Sequence, residues 1–165
     1  MFGALGKGKT YTKLDLAHAY QQIELDDKSK ELATINTQKG LYRYCRLPFG
    51  VSSAPAIFQR TIEGILHGIP SVAVYIDDIL VTGSSESEHL KTLGEVLARL
   101  EAAGLRLKQE KCAFMLSSVD YLGHVISAEG LSPNPEKIRA IVDAPAPRDV
   151  PVSYTHLTLP TICSV

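Results

Sequence analysis

The sequence predicts an α+β fold, an antiparallel sheet with helices packed on one face. β-Branched apolar runs sit on either side of short turn signals, most clearly at Val72–Ile76 and Ile79–Val81, a pattern that reads as paired buried strands. Apolar residues at helical spacing mark amphipathic helices between these runs. Strands and helices are mixed without the regular βαβα alternation of a doubly wound sheet. The 165 residues and a hydrophobic fraction of 45% suit one soluble domain with a real core.

From the N-terminus, Thr10 to Leu16 reads as a strand ending near Asp15, and Ala17–Tyr20 begins a short turn or helix. Leu32–Thr37 and Leu41–Arg46 form a predicted hairpin about Lys39-Gly40. A helix is predicted over Ala54–His67, with Ser52 and Ser53 as caps and Pro55 in its first turn. Its apolar positions are Ile57, Phe58, Ile62, Ile65 and Leu66, and Gly68 and Pro70 stop it. The next hairpin has Asp77-Asp78 as its two-residue connection. A second helix over about 88–103 starts from the capping box Ser85-x-x-Glu88, carries Leu90, Leu93, Leu97 and Leu100 on one face, and ends at Gly104. A strand at about 105–108, an alternating segment at 119–127 and a Pro135-initiated helix through Ile138, Ile141 and Val142 complete the order.

Residues 1–150 are read as the domain. Residues 151–165 change character: they carry no Lys, Arg, Asp or Glu and show no periodicity. They read as a tail foreign to the domain, a cloning or frame-shift scar, with a natural flexible terminus as the alternative. No signal sequence or membrane span is visible, so an intracellular location is expected. Cys45, Cys112 and Cys163 are widely spaced, which argues against a zinc module or a disulfide framework; the first two read as buried apolar residues. The formal net charge of −1 is unlike a free-standing nucleic-acid binder, yet it averages over a surface on which acidic ligands and a basic groove can coexist.

Adjacent carboxylates at the tip of two buried strands need a positive partner. Mg²⁺, a hard cation that takes oxygen ligands, is the ordinary one. Asp15 ends a separate strand, so one fold can bring Asp15, Asp77 and Asp78 together. Such a trio is what two-metal phosphoryl or nucleotidyl transfer requires. A rival reading comes from Gly3 to Thr10, which satisfies G-x-x-x-x-G-K-[ST]. A phosphate-binding loop needs a buried strand before it and a helix after it. Only Met1 and Phe2 precede Gly3, and the residues after Thr10 read as strand.

Four segments in order, Thr12–Ile23, Leu47–Gln59, Tyr75–Asp78 and Tyr121–His124, resemble successive motifs of reverse transcriptases, in the style of Ty3/gypsy long-terminal-repeat retrotransposons. The resemblance implies a polymerase palm with part of the fingers and the start of the thumb. It implies addition of dNTPs to a primer on an RNA or DNA template, with two Mg²⁺ ions (Mn²⁺ as a substitute) held by Asp15, Asp77 and the less directly ligating Asp78. Main-chain amides at His18 and Ala19 would meet the triphosphate, the His18 side chain itself being read as surface. Tyr20 would exclude a 2′-hydroxyl, with a core tyrosine as the plain alternative. Phe49 and Gly50 would face nucleotide and template; retroviral relatives carry glutamine where Phe49 stands. Lys111, with Lys108 as competitor, would serve as general acid toward pyrophosphate. Tyr75 and Leu122-Gly123-His124 would contact primer and template. Ribonuclease H and integrase domains are expected in a parent polyprotein rather than in this chain, and a cytoplasmic retroelement particle is the expected setting, with no membrane partner. A truncated, inactive remnant is the alternative, and the phosphate-loop ATPase ranks below both.

Overall fold

The computed structural model describes residues 8–143, which fall into two compact units, one running to Ser132 and the other starting at Pro133. The 151–165 tail, Cys163 and most of the Gly3–Thr10 pattern lie outside the described residues. The first unit is built on a four-stranded sheet of order β4-β5-β1-β6: β1 is Thr10–Asp15, β4 Val72–Tyr75, β5 Asp78–Gly83 and β6 Ala113–Leu116. Every pairing in this sheet is antiparallel. β2 (Thr34–Thr37) and β3 (Gly40–Arg43) form a separate hairpin, and β7 (Ser118–Tyr121), β8 (His124–Ser127) and β9 (Gly130–Pro133) a three-stranded sheet.

The side-chain alternation of β1 divides the core. Leu14, together with Leu16 just beyond the strand, faces α2 (Ala54–Ile65) and α3 (Glu86–Ala102), where it packs with Phe58, Ile62, Leu93, Val96 and Leu100. Tyr11 points the other way, into a second cluster with Ala73, Leu80, Val119, Tyr121 and Ile126 beneath the β7–β8 hairpin. On that face Lys13 and Asp15 continue toward the open end of the sheet.

Several predicted elements are present: β1, α2, α3 and the Pro135 helix, here α4 (Pro135–Val142), with the ends of α2 and α3 shifted by up to two residues, and the β2–β3 hairpin, whose first strand starts at Thr34 because Leu32 closes a short helix before it and whose second strand stops at Arg43. Thr10 opens a strand and not a helix, so the geometry a phosphate-binding loop needs is missing. The Asp hairpin needs a correction. Tyr75 pairs with Asp78 as the closing rung, so the connection is Ile76-Asp77 and Asp78 is the first residue of β5. The physical reason is that Asp78 lies directly across from Asp15 in β1 and is held in the ladder from that side.

The face of α3 also differs from the leucine stripe. His89, Thr92, Leu93, Val96 and Leu100 are buried, whereas Leu90 is half exposed; Thr12 of β1 offers His89 a hydroxyl at 2.7 Å and draws the helix round. The cap itself is as read: the Ser85 hydroxyl accepts from the Glu88 amide, while the Glu88 carboxylate turns back to Ser84. The 105–108 strand reduces to one bridge between Leu107 and Leu16, followed by a 3₁₀ turn at Gln109–Lys111 and then β6. Helix α1 (Asp27–Leu32), β6 and β9 were not predicted. Cys45 is exposed and Cys112 half-buried, in place of the burial expected for both.

Candidate active site

Three separate stretches converge on one cavity of about 740 Å³, a size that admits a nucleotide-scale ligand. The end of β1 and the 3₁₀ turn Ala19–Gln22 supply Asp15, His18, Ala19 and Tyr20. The β4–β5 turn supplies Ile76 and Asp77, and the segment after α3 supplies Lys108 and Lys111; Phe49 closes one side.

Hydrogen bonds at the strand end hold these stretches together. The Leu16 amide donates to the Asp77 carbonyl at 3.1 Å, the Ala17 amide to Arg106 at 2.9 Å, and the Lys108 amide to the Asp15 carbonyl at 2.9 Å. The Gln22 carboxamide reinforces the junction, accepting from the Arg106 amide at 2.6 Å and donating to the Arg106 and Ala17 carbonyls. His18 enters the 3₁₀ turn with φ 50, and the first amides of such a turn have no partner within it.

Asp15 and Asp78 are opposite neighbours on β1 and β5, where like charges repel. Each has its own lysine: Lys13 Nζ lies 3.2 Å from Asp78, and Lys111 Nζ 3.5 Å from Asp15. Asp77, in the turn, opens into the cavity with Asp15, whereas Asp78 is not part of its wall. Among the described residues no group of three or more His, Cys, Asp or Glu is gathered closely enough to hold a metal ion. Mg²⁺ is commonly held by one or two carboxylates together with substrate phosphates; Asp15 and Asp77 both line the cavity and are the carboxylates that would hold it.

Tyr20 is fixed on two sides by edge-on ring contacts, to Phe49 and to Phe58, each with centroids 5.5 Å apart. Phe58 is fully buried and Phe49 largely exposed, so Tyr20 is anchored in the core and presented at the cavity wall. Gly50, next to Phe49, has φ 87, a conformation that glycine enters without strain. Cys112 supports Asp15 from below, its sulfur accepting from the Asp15 amide at 3.4 Å.

Of the residues expected at the site, Asp15, His18, Ala19, Tyr20, Phe49, Asp77 and Lys111 line this one cavity. Tyr75 ends β4, half exposed. Leu122 and Gly123 form the β7–β8 turn, both with positive φ, and His124 opens β8. That hairpin lies over the same sheet face as Asp78: burial above all, then the charges of Asp78 and Tyr75, push the Tyr121 phenol well above its ordinary value. Ile76, Gln109 and Glu110 were not anticipated in the wall. The charged run Arg106–Lys111 was the available signal for the last two, but nothing in its spacing showed that Leu107 docks on Leu16.

A strand-end pair of carboxylates beside a nucleotide-sized cavity on an antiparallel sheet defines a polymerase palm, and the comparisons agree. The family model of reverse transcriptase (RNA-dependent DNA polymerase) matches residues 2–126. The chain belongs to the reverse transcriptase family, on its Ty3/gypsy-type retrotransposon side. It is 40% identical over 149 residues to the retrovirus-related Pol polyprotein from transposon 297 and 40% over 145 residues to that from transposon gypsy, both of Drosophila melanogaster. It is 37% identical over 141 residues to the transposon Tf2-3 polyprotein of Schizosaccharomyces pombe. These matches cover 89%, 87% and 84% of this chain but only 14%, 14% and 11% of those polyproteins. Among solved structures, a foamy viral protease-reverse transcriptase in complex with RNA/DNA hybrid superposes with TM-score 0.82 at 27% identity, covering 96% of this chain and 22% of that one. The foamy viral protease-reverse transcriptase dRH in complex with double-stranded DNA superposes with TM-score 0.84 at 28% identity, covering 95% of this chain and 28% of that one. No helix among the described residues is long and apolar enough to cross a membrane.

Proposed function

We propose that this chain carries the catalytic palm of an RNA-directed DNA polymerase, adding dNTPs to a primer 3′-hydroxyl on an RNA or DNA template. One observation carries the reading: Asp15, at the end of β1, and Asp77, in the β4–β5 turn, open together into a cavity walled by Tyr20 and Phe49. The complexes formed by the foamy viral relatives, with RNA/DNA hybrid and with double-stranded DNA, support a primer–template as partner.

Asp15 and Asp77 would hold two Mg²⁺ ions, or Mn²⁺ in their place, with Asp78 the more remote third acid. Such ions neutralise charge on the attacking and leaving oxygens of an in-line displacement. The protein's own part is to place and to exclude. The amides of His18 and Ala19 face the triphosphate, and Tyr20 stands where a 2′-hydroxyl would fall. Phe49 and Gly50 border the nucleotide and template. Lys111, already drawn to Asp15, or Lys108 beside it supplies a proton to departing pyrophosphate. Tyr75 and the Leu122-Gly123-His124 turn meet the primer–template. We read residues 1–150 as the reverse transcriptase domain and 151–165 as a tail foreign to it. The parent polyprotein would add ribonuclease H and integrase, in a cytoplasmic particle.

The test is extension of a primed RNA template with dNTPs and Mg²⁺. Wild-type chain extends the primer, and Asp77→Asn lowers the rate at least about 10²-fold, the scale of losing one electrostatic group at a reacting centre. Soluble, folded wild-type chain that extends nothing identifies an inactive remnant instead.

A further inference from the structure

Gln59 stands on α2 directly behind the turn that presents Asp77. Its Oε1 accepts the Ile76 amide N–H at 2.6 Å. Its Nε2 donates to the Val74 carbonyl at 3.0 Å and to Glu63 Oε1 at 2.6 Å. Both ends of the carboxamide are therefore committed. Glu63, one helical turn further along α2, accepts only from the nitrogen end and so sets which way round the amide lies.

The turn needs such support. Ile76 is its first central residue and has φ 53, while the ladder closes at Tyr75 and Asp78. A positive φ at the first central position only is the pattern of a type II′ turn, where glycine is the usual occupant. A β-branched residue there is strained, and strain of this kind persists only where the surroundings over-determine the conformation. Ile76 meets that condition twice: its side chain packs against the core under α2 and α3, and its amide is held by Gln59.

We propose that Gln59, aimed by Glu63, is a positioning residue that locks Ile76 in the left-handed region and thereby points Asp77 into the cavity beside Asp15. It touches neither substrate nor metal and acts through the turn alone. The catalytic consequence rests on the polymerase reading above; the clamp itself does not.

The experiment compares wild type, Gln59→Leu and the double variant Gln59→Leu/Ile76→Gly by three measurements. These are amide hydrogen exchange at Ile76, Mn²⁺ binding to the free protein by electron paramagnetic resonance, and steady-state primer extension. In Gln59→Leu the Ile76 amide exchanges about tenfold faster, as loss of one hydrogen bond allows. Mn²⁺ affinity falls about 10- to 100-fold, the range for groups that orient a metal ligand. kcat falls by a similar factor with KM for dNTP little changed, as misplacement of a catalytic group predicts. Ile76→Gly in the same background recovers most of the Mn²⁺ and kcat losses, because glycine takes φ 53 without needing the clamp.

Unchanged Ile76 exchange, or unchanged Mn²⁺ affinity once that amide is released, overturns the proposal. So does a loss that tracks a lowered melting temperature and is not relieved by Ile76→Gly, since that assigns Gln59 to packing alone. If wild type itself fails to extend primers, the polymerase reading fails, and the exchange and Mn²⁺ measurements still decide the clamp.

Discussion

Tyr20 shows how one side chain can be both core and site. Its contact with buried Phe58 holds the ring, and its contact with exposed Phe49 turns that ring to the cavity. The bulk of a single added group against a packed wall is worth on the order of 10²-fold in discrimination. Tyr20→Ala therefore raises ribonucleotide incorporation relative to deoxynucleotide by up to about 10²-fold, measured as the ratio of kcat/KM for matched rNTP and dNTP. Equal ratios in wild type and variant would return Tyr20 to a packing role. The two lysines beside the acids are as telling. Lys13 answers Asp78 and Lys111 answers Asp15, which leaves Asp77 the acid most directly open to the cavity.

Among the elements, α3 joins helix to sheet through a buried polar contact. His89 is fully buried, its Nε2 is 2.7 Å from the Thr12 hydroxyl, and its Nδ1 has no hydrogen-bond partner among the described residues. Burial holds the imidazole below its ordinary value, so the folded state binds its proton less readily than the unfolded chain. Stability from this site is full above the unfolded value near pH 6.5 and is lost as pH falls below it. Thermal melting from pH 7.5 to 5.5 shows a decline that His89→Leu flattens, each kcal/mol of proton-linked destabilisation lowering Tm by roughly 2–4 °C. An identical pH slope in the variant contradicts this. β1, α2, α3 and the β4–β5 strands were readable because each buries a face, and burial writes a period into the residues. Helix α1 buries no residue and starts from a single Asp26 cap, so it left no stripe to read. The placement of the β4–β5 turn was misread because Asp is a favoured turn residue and Ile is not; only the tertiary pairing of Asp78 with Asp15, together with the hold on Ile76, reverses that preference. The cavity was legible through Asp15 and Asp77 and through the segments that carry Tyr20 and Phe49, whereas Asp78 and the Tyr121–His124 turn lie outside its wall, and the docking of Leu107 on Leu16, which brings Lys108 and Lys111 to it, depends on a contact that no local pattern encodes.

At the scale of the whole molecule, a formal charge of −1 hides a division of labour. Acids gather at the strand ends, and exposed Lys108 and Lys111 stand at the cavity rim with Arg106 close by in the chain. Lys111 is engaged by Asp15, so if Arg106 and Lys108 neutralise about two phosphates, raising salt from 50 to 200 mM weakens primer–template binding roughly 12-fold. Fluorescence anisotropy with a labelled hybrid measures the slope, and a flat salt response contradicts a basic rim that grips phosphate. Whether Asp15 and Asp77 form one nucleotidyl-transfer centre is tested most directly by single-nucleotide addition on a primed RNA template, one dNTP at a time, with Mg²⁺. Wild-type chain adds the nucleotide complementary to the template base, and Asp15→Asn and Asp77→Asn each lose at least about 10² in rate while keeping the wild-type melting temperature. Addition that ignores the template base, or that survives either substitution, would contradict the account.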